Sequence, residues 1–143
     1  MDEKNEDCIF CSIVAGDIPN RTVYEDDDVL AFLDVNPLAE GHTLVIPKDH
    51  GEQVADLPEV APTVFQRAAE LTPAVRDAVD ADGTTVAVND GPAAGQEVPH
   101  LHVHIVPREE GDGAGMLHAL DWPRPELDDD EFDAVQAAIR DGQ

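Results

Sequence analysis

Residues 100–108 read HLHVHIVPR. Imidazole is the side chain that titrates nearest neutrality, and its neutral form can act as a nucleophile, a base or a metal ligand. Three of them, His100, His102 and His104, alternate with Leu101, Val103 and Ile105. On a β-strand this period of two sends the aliphatics to one face and the imidazoles to the other. Pro107 lacks the N–H that would continue a ladder, so the strand is expected to stop there. Solvated strand faces are ordinarily built from Thr, Lys, Glu or Ser, so three adjacent imidazoles point to a metal site or a reaction. Histidines at i and i+2 can both ligate zinc, and a third ligand with an open position makes a hydrolytic centre. The strand itself offers no carboxylate to such a centre, because Glu109 and Glu110 lie beyond the proline. In the competing chemistry one neutral imidazole attacks phosphorus while its neighbours hold its tautomer and bind phosphate oxygens. The loop GPAAGQ (91–96) suits this, since glycine lets backbone approach a phosphate closely.

A second cluster of chemistry is CIFC, Cys8 and Cys11. Such a pair in a cytoplasmic protein is a metal knuckle or a redox motif more often than a structural disulfide. A thioredoxin-like motif follows a strand, whereas this one follows an acidic segment, which favours metal; two free cysteines packed as small hydrophobes are the bland alternative.

The elements that must position these groups come from hydrophobic patterning. CIFCSIVAG (8–16) predicts a short helix or turn ending at Gly16, and TVYE (22–25) with VLAFLDV (29–35) predicts a hairpin. HTLVIP (42–47) and TTVAVND (84–90) are further strands. Val60, Val64, Ala68, Leu71, Val75 and Val79 recur at helical steps within 58–80, where Pro73 is expected to kink or divide the helix. FDAVQAAIR (132–140), preceded by acids, predicts a short C-terminal helix, and EGDGAG (110–115) a flexible loop. Strands in sequential antiparallel style with one long helix define an α+β class in a single domain, 1–143.

Composition narrows the function. No apolar run approaches a membrane span of roughly 18 residues. The start MDEKNEDC is neither a signal nor a transit peptide, so a cytoplasmic protein is expected. Against 32 acidic residues stand 8 basic ones, a formal charge of −24. The acids are interleaved with patterned apolar residues, which fits a folded domain with an acidic surface adapted to a salt-rich, halophilic cytoplasm. At molar salt the Debye length is about 3 Å and the self-repulsion is screened. Nucleic-acid binding, which needs a basic footprint, is excluded.

HLHVHIV resembles the His-φ-His-φ-His-φ-φ signature (φ apolar) of the histidine triad (HIT) family of nucleotide hydrolases and transferases, Hint-like branch. CIFCSIVAGDIP, VLAFLDVNPLAEGHTLVIPKDH and NDGPAAGQEVPHLHVHIVPR are similar to family segments in the same order, from about Cys8 to Arg108. The resemblance implies an α+β domain whose antiparallel sheet continues across a homodimer, acting on a purine nucleotide. It makes His102 the nucleophile on the α-phosphate of a nucleoside phosphoramidate or dinucleoside polyphosphate. A nucleotidyl-histidine then forms and is hydrolysed by water. His104 would bind phosphate and assist the leaving group, His100 would sit at the edge, and His42 would support the cluster or be an ordinary strand histidine. Asn89 and Gln96 correspond to amides that contact phosphate oxygens. Asp34 corresponds to the carboxylate that takes the ribose hydroxyls, or is a turn former before Asn36-Pro37. The residue after the glutamine is often Ser or Thr in the family; here it is Glu97, which puts a phosphate contact at that position in doubt. Relatives with a structural zinc imply a ligand set of Cys8, Cys11, His50 and His100. His118 receives no role. A non-catalytic nucleotide-binding or signalling protein and a histidine-rich metallohydrolase are the alternatives.

Overall fold

The computed structural model describes residues 7–115 and 123–143; His118 lies outside them. The chain packs as two units, 1–112 and 113–143, and everything that positions the site belongs to the first. Its elements are helix α1 (Ile9–Val14), strands β1 (Thr22–Glu25), β2 (Val29–Leu33) and β3 (Thr43–Pro47), helix α2 (Ala61–Ala78), then strands β4 (Gly83–Ala87) and β5 (Val103–Arg108). The strands form an antiparallel sheet in the order β1-β2-β3-β5-β4. The α+β class is borne out. In the second unit, helix α3 (Asp129–Asp141) carries a capping box in which Asp128 accepts from Glu131 N–H at 2.9 Å. Among the described residues no helix is long and apolar enough to cross a membrane.

Strands β2 and β3 are apolar at nearly every position because both sheet faces are covered. Val29, Ala31, Val45, Val103 and Ile105 pack with Val64, Ala68 and Val75 of α2. Leu30, Phe32, Leu44 and Ile46 pack on the other face with Phe10 and Ile13 of α1 and with both cysteines. His104 pairs with Leu44 and so belongs to this α1 face. The predicted alternation therefore holds: aliphatics toward α2, imidazoles toward α1.

Two expectations are corrected. The histidine strand starts at Val103, not His100, and runs through Pro107 to Arg108. The ladder with β3 ends at Ile105, so at Pro107 β5 has a neighbour on one side only, where proline is tolerated. Upstream, the segment is outside the ladder and is anchored by Leu101 N–H to Gly51 O at 2.7 Å and by the His100 ring to Pro47 O at 2.8 Å. Nor does Pro73 divide α2. The carbonyl that it leaves without its usual partner, Ala69 O, accepts from the Thr72 hydroxyl at 2.8 Å, and the helix continues. The long helix is tied to the β1–β2 turn through Asp26. That carboxylate caps Asp28 and Val29 N–H at 2.8 Å and takes bonds from Tyr24 (2.7 Å) and Arg67 (2.8 Å). These donors, Tyr24 and Arg67 foremost, hold Asp26 well below the usual carboxylate range.

Candidate active site

A cavity of about 410 Å3 opens between α1, the end of β2 and the loop before β5. Its deep wall is apolar, from Ile9, Phe10, Ile13, Ile18, Phe32 and Leu44, and its polar groups include Asp34, Asn89, Glu97, His102 and His104. Of the four histidines assigned to the reaction, only His102 and His104 line it. His100 and His42 lie behind and hold the other two.

The proton positions on these rings follow from their partners. Leu38 N–H donates to His42 Nδ1 at 3.0 Å, so Nδ1 carries no proton and the hydrogen is on Nε2. That Nε2–H donates to His104 Nδ1 at 2.9 Å, which places the remaining proton of His104 on Nε2. His102 is wired the other way. Its Nδ1–H donates to the His100 carbonyl at 2.7 Å, leaving Nε2 as a bare lone pair. The cavity thus meets an unprotonated nitrogen at His102 and an N–H at His104, on rings whose centroids are 4.9 Å apart. Burial favours the neutral form of His104 and of His42: His104 is pushed down to about 4, with His102 and His42 adding to the effect. His42 is lowered by its own burial, partly offset by Asp34. Phe10 of α1 stands edge-on to His100 and His102, with centroids at 5.8 and 5.1 Å, and fixes their planes.

Asp34 forms the expected turn and also lines the cavity. Its Oδ1 accepts from Asn36 N–H at 2.9 Å, an Asx turn where β2 ends. Its other oxygen lies 3.7 Å from His42 Nε2. Asn89 is on the cavity wall. Gln96 is not brought there. Its Oε1 accepts from Gly91 N–H at 2.8 Å and its Nε2 donates to Glu52 O (2.7 Å) and Val98 O (3.0 Å), so the amide is spent closing the loop. Gly91 sits at φ +100°, and a Cβ there would collide with the Gln53 side chain. Glu97, whose direction the sequence left open, faces the cavity. Sequence reasoning missed Phe10 and the Leu38 N–H, which only the fold brings to the histidines, and Asn20, which lines the cavity.

Cys8, Cys11, His50 and His100 form a separate group whose ligand atoms all lie within 4.8 Å of one another. Cys8 Sγ is 3.4 Å from His100 Nδ1, and Cys11 Sγ is 3.2 Å from His50 Nδ1 and 3.6 Å from His100 Nδ1. Bonds of about 2.3 Å to sulfur and about 2.1 Å to nitrogen at tetrahedral angles require ligand atoms about 3.5 Å apart, which these spacings match. His100 donates Nε2–H to Pro47 O at 2.8 Å, and so turns the lone pair of Nδ1 to the sulfurs. The group could hold a metal. A second cluster, Asp34, His42 and His104, has suitable residue types, but its imidazoles are already bonded to each other and to Leu38. A metal there would have to break both bonds.

Together, a covered antiparallel sheet and the paired imidazoles of His102 and His104 bring an unprotonated nitrogen and an N–H to one largely apolar slot. Residues 15–111 match the HIT domain. The chain is 46% identical to the protein "hit" of Bacillus subtilis over 127 residues, 85% of this chain and 88% of that one. It is 41% identical to an adenylylsulfatase of Arabidopsis thaliana (94% and 68% covered) and 37% identical to an adenosine 5′-monophosphoramidase of Saccharomyces cerevisiae (87% and 75% covered). Among solved structures, a HIT family member from Bacillus subtilis superposes with a TM-score of 0.83 at 41% identity, covering 95% and 96% of the two chains. A Zn-bound histidine triad family protein from Mycobacterium smegmatis superposes at 0.71 with 36% identity, covering 96% and 98%. The chain belongs to the HIT family, which includes nucleotide hydrolases.

Proposed function

We propose that this protein is a nucleotide hydrolase or transferase that cleaves at the α-phosphate of a nucleoside phosphoramidate or dinucleoside polyphosphate. The observation that carries this reading is the pair of opposite tautomers on one cavity, a lone pair on His102 and an N–H on His104. The purine and ribose occupy the apolar slot, with Asp34 accepting from the ribose hydroxyls and Asn89 donating to phosphate. His102 Nε2 attacks the α-phosphorus and a nitrogen–phosphorus bond forms as the bond to the leaving group breaks. His104 Nε2–H gives its proton to the departing atom. Water then attacks the nucleotidyl-histidine, its proton returns to His104, and His102 is released. The relatives named for adenylylsulfate and adenosine monophosphoramidate support a nucleotide substrate.

Zinc on Cys8, Cys11, His50 and His100 is part of the proposal. Thiolate ligands and full burial of both cysteines suit a closed structural site, and the Zn-bound relative supports it. When bound, the ion would clamp His100, and the carbonyl of His100 holds the proton of His102. We further propose a homodimer in a salt-rich cytoplasm, where screening relieves the formal charge of −24. A substrate panel tests the function: adenosine phosphoramidate and dinucleoside polyphosphates in molar KCl, with and without a chelator. Turnover that survives brief chelation is expected. Loss of all turnover with the fold intact would favour a metallohydrolase, and binding without turnover would favour a signalling protein.

A further inference from the structure

The cavity holding His102 and His104 is lined by two carboxylates, Asp34 and Glu97, and by no lysine or arginine among the described residues. Asp34 is engaged by Asn36 N–H and by His42. Glu97 is exposed, and among the described residues its side chain has neither a hydrogen bond nor an ion pair. Its place on the wall is nonetheless held. The preceding side chain, Gln96, is bonded to Gly91 N–H, Glu52 O and Val98 O at 2.7–3.0 Å, so the backbone on both sides of Glu97 is clasped. The clasped backbone thus keeps Glu97 on the cavity wall, and its free carboxylate is able only to accept hydrogen bonds and to attract cations.

We propose that Glu97 selects the leaving group by charge, favouring nucleoside phosphoramidates whose amine carries a positive charge over dinucleoside polyphosphates, whose leaving group is polyanionic. This rests on the hydrolase reading above and names its substrate class. The nucleotide half is common to both substrates, so its own negative charge cancels from the comparison; the leaving group is where they differ. Two unit charges about 6 Å apart in water change an affinity by a factor of about three. An ammonium gains that factor at Glu97, and each phosphate charge near it loses a similar one. The selection is electrostatic and exposed, so it weakens as salt rises.

The test measures kcat/KM for the adenosine 5′-phosphoramidates of 1,3-diaminopropane (cationic) and propylamine (neutral), and for diadenosine tetraphosphate. The full chain is used, in about 0.2 M and about 2 M KCl, with near-UV circular dichroism confirming the fold at both. Screening at the lower salt reduces the factor of about three, so the wild type should prefer the cationic over the neutral amine by about 1.5- to 2-fold there. Glu97→Gln should erase that preference and raise diadenosine tetraphosphate relative to propylamine, while Glu97→Lys should reverse it. All differences should shrink at the higher salt. Equal ratios in the wild type and both variants would overturn the assignment of Glu97 and leave the hydrolase reading standing. No turnover of any substrate by the wild type would overturn both.

Discussion

His100 and His102 stand two residues apart, both buried against Phe10, yet their free nitrogens are opposite. His100 gives Nε2–H to Pro47 O and turns Nδ1 to the cysteines. His102 gives Nδ1–H to His100 O and keeps Nε2 for the cavity. Identical side chains on one short segment acquire different chemistry from the carbonyl each one happens to meet. The group that could hold a metal draws four side chains from three pieces of chain; His102 and His104 are open on one side to a cavity of about 410 Å3. The regions also depend on each other in one direction: the peptide carbonyl that orients His102 belongs to the residue that the metal would hold.

The most severe way to break the reaction side is His102→Ala. It removes the only cavity-facing lone pair among the four reaction histidines, so turnover should fall below about a hundredth of wild type while nucleoside monophosphate still binds. More residual activity than that would remove His102 from the nucleophile's role. On the metal side, elemental analysis should find one zinc per chain in the wild type, and Cys8→Ser should reduce it to near zero and lower the melting temperature by about 5 °C or more. Normal metal content in the variant would refute the site.

His42→Ala probes the supporting shell. Without its Nε2–H, His104 is no longer confined to the tautomer with a proton at Nε2, and kcat should drop about tenfold for an alkylamine leaving group. A leaving group that departs without a proton should be nearly unaffected, a contrast that simple loss of packing would not produce. The smallest effect concerns acid. The imidazole of His104 is held down to about 4 from an ordinary 6.5, and His42 is lowered as well. Between those values the unfolded chain binds protons that the folded chain refuses, so stability is present above pH 6.5 and is lost progressively toward pH 4. The melting temperature should fall by about 5 °C or more over that range, and His104→Asn should flatten the slope. An unchanged slope would mean that His104 is not held neutral.

Much of this comparison was legible in the residues alone. Period-two alternation told which face His102 and His104 share, because burial on both sides of the sheet leaves no freedom to slip register. The ligand set of Cys8, Cys11, His50 and His100 followed from residue types and the family resemblance, and the fold brings all four together. What failed was what depends on partners distant in sequence. Gln96 looks like a phosphate contact until its amide finds Glu52 O across the loop. Pro107 reads as a strand end unless it is known that β3 has already stopped pairing at Ile105. Pro73 reads as a break until Thr72 is seen on Ala69 O. The tautomers were beyond reach, since Leu38 N–H and the His100 carbonyl become partners only in the folded chain.

The central claim is that His102 Nε2 becomes covalently bound to the α-phosphate. Rapid acid-free quenching during turnover of an adenosine phosphoramidate, followed by peptide mass spectrometry, tests it directly. The expected result is an added adenylate on the peptide carrying His102, absent in His102→Ala and more abundant in a variant slowed in hydrolysis of the intermediate. Turnover at the wild-type rate with no adduct at any time point, or an adduct on a different histidine, would contradict it.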